Sequence, residues 1–243
     1  MKVHRAVQRI LIIANLLKND AESLVTAITA YLRAKGYSVT VLSFRGKPPP
    51  YTMEPFDLAF SLGGDGTVLF SARLLAEQGV PILPINLGNF GFITEIAKDE
   101  WQEAFEKYLD GTLRIAERMM IRVKVYREGI CVHNQTALND MVIGSAGISK
   151  IVNLSVCLST IPIVRYRADG VIVSTPTGST AYSAAAGGPI LHPEMEAMIL
   201  IPICPFTLSH RPLVIPTTEF IGITVDAKQR TDIILTTDGQ VVV

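Results

Sequence analysis

An apolar run at residues 58–62 leads straight into Gly63-Gly64-Asp65-Gly66-Thr67, and a helix-forming stretch follows to about Glu77. No other feature constrains the fold as much. A short run that is apolar throughout reads as a strand buried on both faces. Such strands belong to parallel sheets covered by helices, and open α/β sheets bind ligands beyond the C-terminal ends of their strands. Glycines let backbone N–H groups approach phosphate oxygens, and a helix start favours anions. Asp65 is the odd member, because phosphates repel a carboxylate. It makes sense against a hydroxyl, or against a metal that travels with the phosphates. The same five residues also read as a plain glycine turn with a capping aspartate. They form neither a Walker A loop nor a G-x-G-x-x-G fingerprint.

The first ~110 residues extend this scheme. Residues 10–14 are a continuous apolar run. Asp20 can cap a helix whose Leu24, Ala27, Ile28, Tyr31 and Leu32 share a face, and Gly36 stops it. Strands are expected at 39–44 and 81–85. Asp99 can start a further helix with an inner stripe of Trp101, Ala104, Phe105, Tyr108 and Leu109. The pattern predicts an N-terminal open α/β (Rossmann-like) domain over residues 1–112. Beyond Gly111 the period becomes two: Ile121, Val123 and Val125 alternate with Arg122, Lys124 and Tyr126, and 152–158 repeats the habit. Only 180–186 reads as helical. A C-terminal β-rich domain over 113–243 follows.

Composition narrows the partners. The 243 residues carry 22 Lys and Arg against 22 Asp and Glu, so the net charge is +0. No basic nucleic-acid surface or acidic disordered tail is expected. Anionic ligands must be met by local features. The basic, apolar start lacks a small-residue cleavage site, and no apolar run approaches the ~18 residues that span a bilayer. These features predict a cytoplasmic protein with no membrane partner. Cys131, Cys157 and Cys204 form no close pair and sit in apolar or strand-like stretches, so buried reduced thiols are expected.

Three further motifs carry chemistry. The first, Asn86-Leu87-Gly88-Asn89-Phe90-Gly91-Phe92-Ile93-Thr94-Glu95, follows a strand. Its glycines and aromatics could wall a flat ring, or simply anchor a loop. The second is Asn139-Asp140, at the head of an apolar strand. Asn suits a base edge, and an ionised Asp accepts from two vicinal hydroxyls of a ribose; the pair also reads as a strand-end turn. The third and longest runs from Arg167 through Asp169-Gly170 and Ser174-Thr175-Pro176-Thr177-Gly178-Ser179-Thr180-Ala181-Tyr182-Ser183. Small polar residues at a helix start suit a base or phosphate, and they also cap helices for structural reasons.

In this order and spacing the four stretches resemble the NAD kinase family, with its GGDGT loop, LGFLTE-like loop, N-E/D pair and TPTGSTAY segment. Residues 203–212 and Asp238-Gly239-Gln240 match two further family blocks, so the resemblance covers about residues 9 to 240. GGDGT alone is shared with phosphofructokinases and diacylglycerol-type lipid kinases. A lipid kinase is therefore the alternative reading, and a non-catalytic dinucleotide-binding protein is a third. Phe206 stands where the family often has His, and residues 89–93 are a mild variant of the usual loop. The chain ends at Val243 where the family usually continues for a few more strands, so the C-terminal extension is expected to be short or missing.

The resemblance implies transfer of the terminal phosphoryl group of ATP to the 2′-hydroxyl of the adenosine ribose of NAD, giving NADP. It makes Asp65 the general base and Gly63, Gly64, Gly66 and Thr67 the phosphate loop. Mg²⁺ would be held mostly by phosphates and water. Asp65, Gly66, Phe92, Asn139 and Asp140 would meet the adenosine end. Thr177, Thr180, Ala181, Tyr182 and Ser183 would line the pocket, and Gln240 matches a late ligand position. Lys150, Arg167 and Asp169 would reach the distal half across a subunit interface, which implies a homo-oligomer, dimer or tetramer. His133, His192 and His210 have no partner spacing and are expected to be structural.

Overall fold

The computed structural model describes residues 7–49, 51–52, 54–88, 91–147, 151–207, 209–229 and 231–243. The chain forms two compact units, Met1–Ala116 and Glu117–Val243.

The first unit holds one parallel sheet of β1 (Arg9–Asn15), β2 (Ser38–Phe44), β3 (Leu58–Gly63), β4 (Ile82–Asn86) and β5 (Ile96–Ala97), in the order β2-β1-β3-β4-β5. Its helices are α1 (Ala21–Ala34), α2 (Asp65–Leu75) and α3 (Trp101–Leu109). Alternation is hidden inside the apolar runs. Ile10, Ile12 and Ala14 join Leu58, Phe60 and Leu62 in a core with Ile28 and Leu32 of α1 and Phe105 of α3. Leu11, Ile13 and Ala59 face the other layer, with Leu75 of α2. Both faces are buried, so neither strand shows a polar side in its sequence.

Local details differ from the sequence reading at the helix starts. Asp20 stands at the cap position of α1 with φ 64° and makes no capping hydrogen bond. Its carboxylate instead accepts from Lys98 Nζ at 2.6 Å. Helix α3 begins behind Glu100, not Asp99; the Glu100 carboxylate accepts from the Ala97 N–H at 3.1 Å. Gly36 does end α1: it takes φ 89°, and the Tyr37 N–H closes on the Leu32 carbonyl at 3.1 Å.

The second unit is antiparallel throughout. Strands β6 (Ile121–Arg127) and β7 (Ile130–Ala137) form a hairpin. β8 (Asp140–Ser145), β11 (Gly170–Ser174), β12 (Ala197–Ile203), β13 (Leu213–Pro216), β15 (Ile233–Thr237) and β16 (Val241–Val242) form a sheet ordered β13-β12-β11-β8-β15-β16. β9 (Val152–Leu158), β10 (Ile161–Ala168) and β14 (Ile221–Val225) form the third, ordered β10-β9-β14. One core draws Met141, Val171 and Leu200 together with Leu154, Val156 and Tyr166. The helical stretch is a 3₁₀ turn at Thr177–Thr180 followed by α4 (Tyr182–Ala185).

The cysteines correct the expectation of burial. All three are free, but Cys131 and Cys204 are exposed and Cys157 is partly so. Cys131 lies on β7, whose first three residues are all exposed, and Cys204 occupies a turn after β12 at φ 45°. Among the described residues, no helix is long and apolar enough to cross a membrane.

Candidate active site

In the first unit, β3 ends at Gly63 and α2 begins at Asp65, so the GGDGT residues sit at the C-terminal edge of the central parallel strands. Gly63 is required by close approach: a Cβ there would collide with the Thr67 side chain. No side chain caps the start of α2. The Asp65 carboxylate is instead gripped by the next loop. Oδ1 accepts from the Ile93 N–H at 3.3 Å, the Thr94 N–H at 3.2 Å and the Thr94 hydroxyl at 3.0 Å. Oδ2 accepts from the Phe92 N–H at 2.9 Å. Gly91 makes the grip possible, since a Cβ there would overlap the Asp65 carboxylate and the Thr94 hydroxyl. A carboxylate oxygen offers about two lone pairs. Oδ1 is saturated, so Oδ2 is the atom with room for one more hydrogen. Phe92 presents its ring outward, 71% exposed.

In the second unit, Asn139 and Asp140 form the corner between β7 and β8. Three successive N–H groups of this corner converge on one carboxylate. Asp238 Oδ2 accepts from Leu138 at 3.1 Å, and Oδ1 accepts from Asn139 at 2.7 Å and Asp140 at 3.3 Å. The carbonyl side is tied to the hydroxyl-rich loop after β11. The Thr175 N–H donates to the Asn139 carbonyl at 2.8 Å, and the Thr175 hydroxyl donates to the Leu138 carbonyl at 2.5 Å while accepting from the Gly178 N–H at 3.1 Å. A Cβ on Gly178 would strike the Asn139 carbonyl. The backbone of the corner is thus held from both sides. The Asp140 side chain is buried, and that burial, reinforced by the nearby Asp238 carboxylate, pushes its carboxyl up to about 6. Two hydroxyls in the same stretch, Thr177 Oγ1 and Ser183 Oγ, are buried with no hydrogen-bond partner. Buried hydroxyls ordinarily find partners, so both fit a polar ligand.

The remaining expected residues are placed as follows. Thr180 and Ala181 are half-buried, Tyr182 is half-exposed, and Gln240 is exposed with its N–H on the Thr237 carbonyl. Arg167, near the end of β10, and Asp169, just before β11, are exposed; Asp169 lies at the end of β11 opposite Asp140, because Gly170 pairs with Gly144 while Ser174 pairs with Asp140. Asp169 lies five residue steps before Ser174 along the strand, roughly 17 Å away. Within one chain they do not join the corner. The Arg167 guanidinium lies 4.8 Å over the Phe206 ring. Lys150 lies outside the described residues, as do Asn89 and Phe90 of the second motif. Among the described residues no cluster of three or more His, Cys, Asp or Glu could hold a metal.

Sequence reasoning overlooked Asp238, Thr175 and Gly91 as shaping residues. For Asp238 a signal existed: Asp-Gly between short apolar runs is the signature of a tight hairpin turn.

Comparison with known proteins identifies the family. The model of the ATP-NAD kinase N-terminal domain matches residues 49–113, and that of the ATP-NAD kinase C-terminal domain matches 138–243. An NAD kinase of Treponema denticola is 44% identical over 234 residues, covering 96% of this chain and 82% of its own. An NAD kinase of Treponema pallidum is 40% identical over 95% of this chain and 76% of its own. The crystal structure of yeast NADH kinase complexed with NADH superposes with a TM-score of 0.85 at 26% identity, covering 97% of this chain and 76% of that one. An NAD kinase from Archaeoglobus fulgidus in complex with ATP gives 0.78 at 28% identity, over 97% and 86%. The chain belongs to the ATP-NAD kinase family.

Proposed function

We propose that this protein is an NAD kinase that transfers the terminal phosphoryl group of ATP to the 2′-hydroxyl of the adenosine ribose of NAD, yielding ADP and NADP. The supporting observation is Asp65: a carboxylate among glycines, fixed by four donors yet keeping a lone pair on Oδ2. A sugar hydroxyl is a weak nucleophile at neutral pH. Oδ2 would take its proton as the phosphorus–oxygen bond forms, a contribution typically worth ~10²–10⁴-fold. Phosphoryl transfer asks for little else beyond alignment and charge neutralisation. Gly63, Gly64, Gly66 and Thr67 would admit the phosphates at the start of α2. Mg²⁺ bound to the triphosphate would supply charge neutralisation, and with no protein cage among the described residues its ligands would be phosphate oxygens and water.

In this reading Asn139 addresses the adenine edge and Asp140 the ribose hydroxyls, with Thr177 and Ser183 offering their unpartnered hydroxyls. Phe92 supplies an exposed aromatic face. Arg167 and Asp169, remote from the corner within one chain, would serve the dinucleotide bound to a neighbouring subunit, so the active form is a homo-oligomer working in the cytoplasm. The test is NADP formation from NAD, ATP and Mg²⁺, read by a coupled dehydrogenase, with light scattering on the active fractions. Labelled phosphate appearing in lipid and not in NADP would replace this reading with that of a lipid kinase. An active monomer would remove the shared site.

A further inference from the structure

Asp238 and Gly239 sit between β15 and β16, where Thr237 pairs with Val241. Both take left-handed backbone angles, φ 51° and 61°, and the Gln240 N–H closes on the Thr237 carbonyl at 3.0 Å. This is the turn whose twist matches a hairpin, and Asp-Gly is its preferred sequence. β15 lies beside β8, with Thr237 opposite Met141, so the turn falls against the corner that opens β8. The Asp238 N–H donates to the Asp140 carbonyl at 2.9 Å, which docks the turn onto the corner. The carboxylate then points back along the sheet and collects the N–H groups of Leu138, Asn139 and Asp140. Asp238 is buried, 8% exposed, so these bonds are sheltered from water. Bonds to an ionised acceptor are about twice as strong as neutral ones.

This arrangement costs something. The buried Asp238 carboxylate stands close enough to Asp140 to raise that residue's affinity for protons. A hairpin needs no carboxylate at this position, since Asn-Gly forms the same turn. The acidic residue is explained by what it holds. With all three N–H groups and all three carbonyls of the corner engaged, the Asn139 and Asp140 side chains have a fixed base from which to meet a ligand.

We propose that Asp238 is a positioning residue for the dinucleotide: it sets the Asn139–Asp140 pair through three backbone hydrogen bonds, without touching the substrate. This rests on the reading of the corner as the adenosine site. The experiment starts with the parent protein, titrated with NAD by calorimetry and assayed for NADP formation. Asp238→Asn keeps the turn but places an amide N–H₂ group among backbone N–H donors. It should raise the dissociation constant and KM for NAD ~10-fold or more while kcat at saturating NAD stays within ~3-fold. Asp140→Asn should weaken NAD binding in the parent and add little in the Asp238→Asn background, because the first change has already misplaced the pair. A merely structural Asp238 would instead lower the melting temperature and the active fraction, leave KM unmoved, and give additive effects; that result overturns the proposal. Should Asp238→Asn not fold, Asp238→Ser, which keeps one acceptor, carries the same readout. A parent that neither binds NAD nor makes NADP overturns the kinase reading itself, an outcome distinct from a parent that binds and a variant that binds equally well.

Discussion

Two carboxylates carry the proposed chemistry, and each predicts its own experiment. Asp65 is held by four donors, and its replacement by Asn preserves size while removing the proton acceptor. Asp65→Asn should keep NAD affinity by calorimetry and lose at least ~10²-fold in kcat; near-normal turnover would deprive Asp65 of the role of base. Asp140 is a stability argument. Its carboxyl is pushed up to about 6 by burial first and by Asp238 second. An unfolded aspartate ionises near pH ~3.9. A raised folded value means that stability is fully present below the unfolded one and is lost as pH climbs through the folded one. The ionised form thus costs the fold on the order of 2–3 kcal/mol above pH ~6. Asp140→Asn should melt higher than the parent at pH ~8, with the gap shrinking below pH ~6 and closing near pH ~4. A gap independent of pH would contradict this. Both residues were legible from sequence as members of motifs. Asp238 was legible as part of a family block and as a turn residue, but its grip on the corner was not, because the direction of its carboxylate depends on strand pairing across about a hundred residues, which local pattern does not encode.

Elements were read unevenly, and the reasons are physical. β1 and β3 were clear because double-sided burial leaves an unbroken apolar run. β5 and β16 escaped notice since two residues cannot display a period. Asp20 looked like a helix cap by type, yet tertiary pairing with Lys98 won its carboxylate. The loop after β11 was recognised as hydroxyl-rich, but its tie to the β7–β8 corner through Thr175 was not visible in composition. That tie makes Gly178 a sensitive point. A methyl group there meets the backbone carbonyl of Asn139, and backbone cannot rotate away. Gly178→Ala should cost about 1–3 kcal/mol in denaturant unfolding and weaken NAD binding in calorimetry. A neutral Gly178→Ala would show that the loop and the corner move apart freely.

At the scale of the whole molecule, the chain forms two compact units, Met1–Ala116 and Glu117–Val243, and the hydrophobic period of the sequence changes near residue 111. The surface ion pairs contribute little to holding either. The ion pairs Lys35–Glu106, Arg45–Glu22, Lys98–Asp20, Lys107–Glu103 and Arg165–Asp226 are all at the surface, with every partner at least 34% exposed. Pairs of that kind are worth ~0–1 kcal/mol each and are screened by salt. With a net charge of +0, no global repulsion competes. Raising the salt from about 0.05 M to about 0.5 M should move the melting temperature by no more than ~2 °C. A larger fall would reveal an electrostatic contribution that these contacts lack.

The grip of Asp238 on the corner spans 98 to 100 positions of sequence. On the proposed reading of the corner, a growing polypeptide on the ribosome cannot hold the dinucleotide until the β15–β16 hairpin has been made. On the same reading, loosening of that one hairpin would release the nucleotide before the rest of the sheet gave way. Occupancy by dinucleotide would then report on docking of that hairpin, and protease nicking near the Asp-Gly turn should be slowed by NAD long before general unfolding is affected.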